Sequence, residues 1–305
     1  MEKRNEVREF LVSRRARLTP EQAGIVSYGA QRVPGLRREE VAQLAGLSAD
    51  YYTRLERGRT AGVSESVLDA IARALQLDDT ERTHLFDIAK PTPTRPGTRP
   101  TTQPERVRPG LRLLLDSMSL VPAMIQGRWM DILATNQLGE ALYLGFGTDA
   151  SRPRNMARFV FLDPRAQELF VDWERSGRDC VGMLRYSAGR YPDDRRLNEL
   201  IGELSVRSPE FCRWWADHNV RKHSTGTKHF HHPVVGDLTV GFESLYVGDN
   251  LDQNLVAYTA EPNSPSAEAL GLLASWAATP TDQEAAPTIG RATSQAEPAT
   301  FTQFE

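Results

Sequence analysis

The chain has 305 residues, a formal net charge of −3 and 40% hydrophobic residues. This length exceeds a typical single domain, so we expect two domains with real apolar cores. Two cysteines without a CxxC motif give no metal framework and little reason for a disulfide. The chain opens without an apolar signal segment and contains no run of about 20 apolar residues. We therefore expect a cytoplasmic protein with no membrane partner.

Charge is unevenly distributed along the chain. Residues 1–90 carry 15 Lys and Arg against 14 Asp and Glu, and residues 91–110 carry 4 against 1. Residues 111–305 carry 18 against 25. Because phosphate repels an acidic surface, any contact with nucleic acid is expected near the front of the chain. Arginine outnumbers lysine 33 to 4, a bias that we attribute mostly to a GC-rich bacterial genome.

The first ninety residues predict five short helices. Apolar spacing indicates a first helix over residues 6–17, and Thr19-Pro20-Glu21 is typical of a helix start. Ser64 is suited to cap a fourth helix, and the acidic pair Asp78-Asp79 precedes a fifth. Five short helices in about ninety residues would form one compact domain.

The stretch 38–59 predicts two helices with a sharp turn between them. The first helix has an apolar stripe, formed by Val41, Ala42, Leu44 and Ala45. Gly46 supplies a left-handed residue at the turn, and Ser48 is a good N-cap for the next helix. In that helix Tyr52 and Leu55 are expected to face inward. The opposite, solvent-facing side is then made of small, polar and cationic residues: Ala49, Asp50, Thr53, Arg54 and Arg57.

This stretch resembles the helix-turn-helix of the XRE (phage repressor and Cro-like) regulators. The matching features are Ala42 at the helix crossing, Gly46 in the turn and the ending Leu55-Glu56-Arg57-Gly58. Tyr52 departs from the family, which more often has a β-branched aliphatic residue at that position. The alternative is an ordinary αα-hairpin within a helical core. The resemblance implies that residues 1–90 form a five-helix domain that places its recognition helix in the major groove of a double-stranded DNA operator.

Within that domain the resemblance assigns two kinds of DNA contact. Base edges are expected to be read by Ala49, Asp50, Thr53 and Arg54. Arg54 would bind a guanine bidentately, worth about 1–3 kcal/mol of discrimination, and Asp50 either accepts from a cytosine or stabilises the helix N-terminus. Phosphate contacts are expected from Ser48, Tyr51, Arg38 and Arg57. The connection over residues 23–36 is either a loop on the DNA backbone or a mere surface connection.

Residues 91–110 are dense in Pro, Thr and Arg, which predicts an extended linker. Residues 111–278 predict a second, α+β domain, and the Thr-, Ala- and Gln-rich tail 279–305 is expected to be disordered. Helices are predicted near 111–118, 136–143, 165–187, 194–205, 209–218 and 265–277. Strands are predicted near 121–126, 129–134, 228–232, 238–247 and 255–259. Residues 155–162 mix both periods.

Several sequence blocks of the second domain resemble the ligand-binding domain of the MmyB-like regulators. They are VRPGL (107–111), NMARFVF (155–161), VDWE (171–174), GRYPD (189–193), SPEF (208–211), Trp214-Trp215 and the stretch 226–233. The order strand, strand, Ala-x-Asn, helix resembles the start of a PAS-like sensor. The resemblance implies a PAS-like fold with extra helices, a cavity for a small, largely apolar and fatty-acid-like molecule, and a homodimer.

If that ligand carries a carboxylate, Arg154, Asn155 and Arg158 are the candidate anchors, because the guanidinium group of arginine fits a carboxylate. His218 and Tyr246 are further candidates. Alternatively, these arginines pair with helix carboxylates at the surface. The histidines at 218, 223, 229, 231 and 232 complete no familiar metal spacing, so no metal is predicted. No GxSxG, HExxH, phosphate loop or Cys-His block occurs, so neither catalytic residues nor a cofactor are predicted.

Together these features predict a transcription regulator whose first domain binds DNA and whose second domain senses a ligand. The alternative is a DNA-bound adaptor, whose second domain is a protein-interaction module without a ligand.

Overall fold

The computed structural model describes residues 2–25, 35–90, 105–146, 153–221, 224–247 and 250–279. Five described helices share one apolar core and form the front domain: α1 Glu2–Arg17, α2 Arg38–Ala45, α3 Ala49–Glu56, α4 Glu65–Ala74 and α5 Asp79–Ala89. Side-chain caps begin three of them, since Ser48, Ser64 and Asp78 each accept a hydrogen bond from an amide three residues on. The five predicted helices are therefore present.

Two details of the front domain differ from the sequence predictions. Thr19-Pro20-Glu21 opens only a turn, which ends at Gly24 with φ 72°. Leu44 is 39% exposed, so the apolar stripe of α2 buries Val41 and Ala42 but leaves Leu44 at its edge. Most of the connection 23–36 lies outside the described residues.

The rear domain, which begins with helix α6 (Pro109–Ser117), is built on a five-stranded antiparallel sheet of order β2-β1-β5-β4-β3. Its strands are β1 Ala123–Gln126, β2 Ile132–Thr135, β3 Thr225–His232, β4 Gly236–Val247 and β5 Asn250–Thr259. Alternate residues face opposite sides. Met124 and Val256 therefore join a core with helices on one face, whereas Ile125 and Leu255 pack with Leu115 on the other.

The helices of the rear domain are α6 Pro109–Ser117, α7 Gln137–Leu142, α8 Met156–Leu162, α9 Arg165–Leu169, α10 Trp173–Arg190, α11 Arg195–Arg207, α12 Pro209–Trp215 and α13 Pro265–Ala278. α6 begins two residues before the expected domain start. The stretch 155–162, ambiguous in sequence, forms α8 after the cap residue Asn155. The combination of a helical front domain and an α+β rear domain agrees with the predicted fold class.

Two predicted elements of the rear domain are interrupted, and strands β3 and β5 begin three and five residues earlier than predicted. The single helix over 165–187 is interrupted, because the Val171 amide donates to the His229 carbonyl of β3 at 3.1 Å and Asp172 then caps α10. The predicted strand 129–134 begins with a turn, in which Trp129 and Met130 have φ of 55° and 67°. Only Ile132–Thr135 forms β2. Neither interruption was visible in the sequence, because the helical pattern continues through Val171 and the strand pattern already begins at Trp129.

The two domains pack against each other through α10. Helix α5 of the front domain lies on α10. Val220, which follows α12, is buried in the apolar core of the front domain. Residues 91–104 of the predicted linker and residues 280–305 of the predicted tail lie outside the described part of the chain.

Candidate functional site

The turn before α3 has the geometry of a tight helix-turn-helix. Gly46 has φ 66°, and the Leu47 amide donates to the Ala42 carbonyl at 2.8 Å. The Ser48 hydroxyl accepts from the Tyr51 amide at 3.2 Å and starts α3. These bonds fix the direction in which α3 leaves the turn, so the sequence prediction of Gly46 and Ser48 as turn and cap is confirmed.

The inner face of α3 is held by apolar packing and by one buried carboxylate. Tyr52, Leu55 and Glu56 are all buried. Glu56 accepts from Arg15 Nε of α1 at 2.7 Å and pairs with Arg38 at the start of α2. A buried carboxylate is costly unless it is paired. Glu56 therefore fixes α3 against both neighbouring helices, a role that the sequence reasoning did not assign to it.

The outer face of α3 is open to solvent. Ser48, Ala49, Asp50, Arg54 and Arg57 are exposed, and Tyr51 and Thr53 are partly buried. Arg38 lies beside this face with 48% of its side chain exposed while it pairs with Glu56. The eight predicted DNA contacts thus lie on or next to one continuous surface. A short helix held rigidly from behind, with small, polar and cationic residues in front, has the shape that a major groove admits.

The rear domain encloses a cavity of about 80 Å³ between α10 and the sheet. Aromatic and apolar side chains form most of its wall, including Tyr143, Met156, Val160, Phe170, Phe242 and Val256. Tyr143 and Tyr258 share a buried hydroxyl–hydroxyl hydrogen bond there, and burial raises the pKa of both phenols. Polar side chains, Asp179 and Lys228 among them, complete the wall, and an apolar cavity with convergent polar groups is the usual form of a small-molecule site.

Lys228 of β3 brings a cationic group to the wall of this cavity. Its Nζ lies 5.3 Å from the ring centre of Phe170 and 5.7 Å from that of Phe242. Burial lowers the pKa of Lys228, while the nearby carboxylate of Asp179 opposes that shift. An ammonium at a desolvated, aromatic wall gains from an anionic partner, which makes Lys228 the strongest candidate anchor for an acidic ligand group.

The structure gives other partners to the five anchors proposed from sequence, and none of them is among the described residues that line the cavity. Arg154 pairs with Glu140 at 2.8 Å and Arg158 with Glu203 at 2.9 Å. The Asn155 side chain caps α8 and donates to the Trp129 carbonyl. These three residues thus organise α8 and its neighbours.

The remaining two candidates lie in other places. His218 lies at the contact between the two domains, with Nδ1 3.0 Å from a guanidinium nitrogen of Arg185. Tyr246 is half exposed and lines an open surface groove with Leu111 and Leu255. Lys228 could not be predicted from sequence, because a single lysine on a strand has no distinguishing spacing.

The histidines of β3 have separate partners. His229 Nδ1 lies 3.0 Å from the Thr239 hydroxyl, and His231 Nδ1 lies 2.6 Å from Asp237. His232 points to the opposite side and contacts the Ala141 carbonyl at 3.1 Å. Within the described residues, no group of three or more His, Cys, Asp or Glu side chains could hold a metal ion. His223 lies outside those residues.

Comparison with protein families identifies both domains. Residues 107–273 match the MmyB-like transcription regulator ligand binding domain, and residues 8–85 match a helix-turn-helix domain. The chain belongs to the MmyB-like transcription regulators. A comparison with curated proteins gave no match.

This regulator therefore binds DNA through its front domain and carries a ligand-sensing rear domain. The recognition of both families from sequence motifs is confirmed. Both matched families are regulator domains and neither is an enzyme family. No helix in the described parts of the chain is long and apolar enough to cross a membrane.

Proposed function

We propose that this regulator binds a two-fold DNA operator as a homodimer and that a small, largely apolar anion in the rear-domain cavity controls the binding. The exposed face of α3 is the observation that supports DNA reading most directly. An eight-residue recognition helix offers few base contacts. Two copies related by symmetry would supply the affinity that one lacks. A chromosomal operator places the protein in the bacterial cytoplasm.

Residues in α3 and beside it have different roles in this proposal. Ala49, Asp50, Thr53 and Arg54 face the base edges, with Arg54 on a guanine. Ser48, Tyr51, Arg38 and Arg57 surround them and contact phosphate. Ser48 already caps α3, so its contact to phosphate would come through the donor side of the hydroxyl. Selection of bound duplexes from a random pool, followed by sedimentation of the complex, tests both the operator symmetry and the homodimer.

The size of the cavity limits the ligand. At about 10–15 Å³ for each water-sized group, 80 Å³ holds roughly five to eight groups. Hexanoate, with eight non-hydrogen atoms, fills that space, and octanoate, with ten, requires the cavity to widen slightly. Three methionines, Met130, Met156 and Met183, line the wall, and their flexible side chains allow it to widen for a longer fatty-acid-like tail. A carboxylate at Lys228 with the chain against Tyr143 and Phe170 satisfies both the charge and the apolar wall.

Titration calorimetry with octanoate tests this assignment. The wild-type protein should bind octanoate and bind the neutral octanol more weakly. Since a hydrogen bond to a charged group is worth about 1.5–3 kcal/mol, Lys228→Met should weaken octanoate about tenfold or more, while Lys228→Arg should retain most of the affinity. Lys90→Met removes the same charge just after α5, outside the cavity, and should have no effect. Equal loss in both Met variants would exclude Lys228 as the anchor.

The competing function is a DNA-bound adaptor, whose rear domain binds another protein and no ligand. The cavity and its cationic wall favour the sensor. Mass spectrometry of the purified, denatured protein distinguishes the two functions. Release of a carboxylic acid in stoichiometric amounts supports the sensor. If no small molecule is released and no fatty acid from four to fourteen carbons binds, the adaptor function is favoured.

A further inference from the structure

Helix α10 separates the cavity from the front domain. Ser176, Asp179, Cys180 and Met183 of α10 line the cavity. Their spacing of three and four residues puts them on one face of the helix. Arg185 and Gly189 lie on the opposite face, against the front domain. Helix α10 therefore contacts both the cavity and the front domain.

The contact of α10 with α1 is an ion pair between a buried arginine and a partly exposed glutamate. Arg185 is 1% exposed, and it donates to Glu6 Oε1 of α1 at 2.7 Å. Its guanidinium also lies 4.0 Å from the ring centre of Trp215 and 3.0 Å from His218 Nδ1. A buried guanidinium is stable only in a narrow range of geometries, because its desolvation cost is offset only by close, well-aligned partners. A small displacement of α10 therefore weakens this contact.

The contact of α10 with α5 leaves no free space. A Cβ added at Gly189 would stand 2.4 Å from the His84 ring. The ring of His84 is fully buried between Gly189 and Phe10, and neither ring nitrogen has a hydrogen-bond partner among the described residues. Glycine within a helix is unfavourable relative to alanine. Here its small size allows the two domains to approach at van der Waals distance.

A second contact joins the rear domain to the front domain, through the segment that follows α12. The His218 carbonyl accepts from Arg14 of α1 at 2.7 Å, and His218 itself has φ 52°. Two residues later, Val220 enters the front-domain core. A non-glycine residue in the left-handed region is held there only by its surroundings. The front domain therefore holds both α10 and the segment after α12.

We propose that α10 transmits occupancy of the cavity to the front domain, with Arg185–Glu6 and Gly189–His84 as the contacts that change. This proposal rests on the proposed ligand site and names its regulation. Closely packed elements do not deform continuously, so a group that pushes on Cys180 displaces the whole helix against α1 and α5. The orientation of the recognition helix relative to its dimer partner then changes with the ligand.

Amide hydrogen exchange on the full-length protein tests this coupling without a known ligand. Cys180→Leu places extra atoms in the cavity and stands in for a bound molecule, and Ser176→Leu is a second filling variant should the first not fold. We expect a filled cavity to change exchange rates in α1 and α5 by about threefold or more, because local opening depends on these interdomain contacts. Octanoate added to the wild type should change the same amides.

The matched variants Gly189→Ala and Gly202→Ala identify the route. Both add a methyl group to a helical glycine, but only the one at position 189 meets the front domain, since Gly202 has open space. In the Gly189→Ala background, cavity filling should change exchange only in the rear domain. In the Gly202→Ala background the response of α1 and α5 should persist. An unchanged α1 and α5 in both filling variants, or a response that survives Gly189→Ala, would overturn the proposal. Failure of octanoate alone would instead count against the proposed ligand.

Discussion

Gly58 lies against the backbone of Arg4. A Cβ built at position 58 would stand 2.3 Å from the Arg4 carbonyl oxygen, and the residue has φ 74°. The end of the recognition helix can approach α1 this closely only because position 58 has no side chain. The ending Leu55-Glu56-Arg57-Gly58 thus contains three different constraints: a core leucine, a buried carboxylate and an obligatory glycine.

Gly58→Ala should lower the free energy of unfolding by about 3 kcal/mol or more, because left-handed strain of 1–2 kcal/mol adds to a backbone clash. Gly46→Ala is the matched control. It has a similar φ of 66° but nothing within 4 Å of the added methyl group, so it should cost only the strain, about 1–2 kcal/mol. Urea denaturation followed by circular dichroism measures both. Equal losses would mean that α1 does not approach position 58.

Arg54→Ala should reduce discrimination at one base pair by about 1–3 kcal/mol, with a smaller effect at the other positions. Arg57→Ala should instead weaken all duplexes nearly equally and reduce the salt dependence of binding by about one ion. Binding to the selected duplex and to its single-base variants, at several salt concentrations, separates the two. A uniform loss for Arg54→Ala would make Arg54 a phosphate contact.

The interface between the domains should weaken in acid. Burial, together with the positive charges of Arg185 and Arg14, lowers the pKa of His84 to about 3. The same causes lower the pKa of His218 to about 4. An unfolded histidine titrates near 6.5, so below that pH the unfolded chain binds more protons than the folded one. Stability is therefore complete above about pH 6.5 and falls as the pH drops towards 4.

His84→Leu should reduce the slope of the free energy of unfolding against pH by up to about 1.4 kcal/mol per pH unit. Leu85→Met, at the next position of α5, changes a buried side chain but removes no titratable group, so it is the control and should leave the slope unaltered. Free energies of unfolding measured by urea titration between pH 7 and 4.5 provide the comparison. A slope for His84→Leu that equals the wild-type slope would mean that His84 is solvated in the folded protein.

The two cysteines should differ sharply towards thiol reagents. Burial raises the pKa of Cys180 to about 12, whereas Cys212 is exposed. Because the thiolate is the reactive form, one thiol should react quickly and the other only on unfolding or cavity opening. In a Cys212→Ser variant, octanoate should slow the remaining reaction further. Fast reaction of Cys180 without denaturant would show that the cavity is open to solvent.

Local chemistry made much of the fold predictable from sequence. Gly46, Ser48, Ser64 and Asp78 act within three or four residues of their own position, so their roles as turn and cap residues were visible in the chain. All five strands were also located from sequence, although β2 was placed three residues too early and β3 and β5 were predicted shorter than they are. The interruption at Val171 was not, since it depends on a hydrogen bond to His229, 58 positions away.

The two candidate sites also differ in how far they could be predicted from sequence. The face of α3 follows from helical geometry alone. The cavity does not, because Lys228 of β3, Tyr143 at the end of α7 and Cys180 of α10 meet only after the sheet and helices have packed. Arg154 and Arg158 were attractive from sequence because guanidinium groups fit carboxylates. In the folded chain, Glu140 and Glu203 already supply those carboxylates.

The most direct test of DNA reading by α3 compares two variants of equal charge. Ala49→Glu adds a carboxylate to the exposed start of α3, and Gln167→Glu adds one to an exposed position of α9. Affinity for the selected duplex should fall about 100-fold or more for Ala49→Glu, because the new charge would face phosphate and base edges. Gln167→Glu should bind within about twofold of the wild type. Equal affinity of the two variants would contradict the insertion of α3 into the major groove.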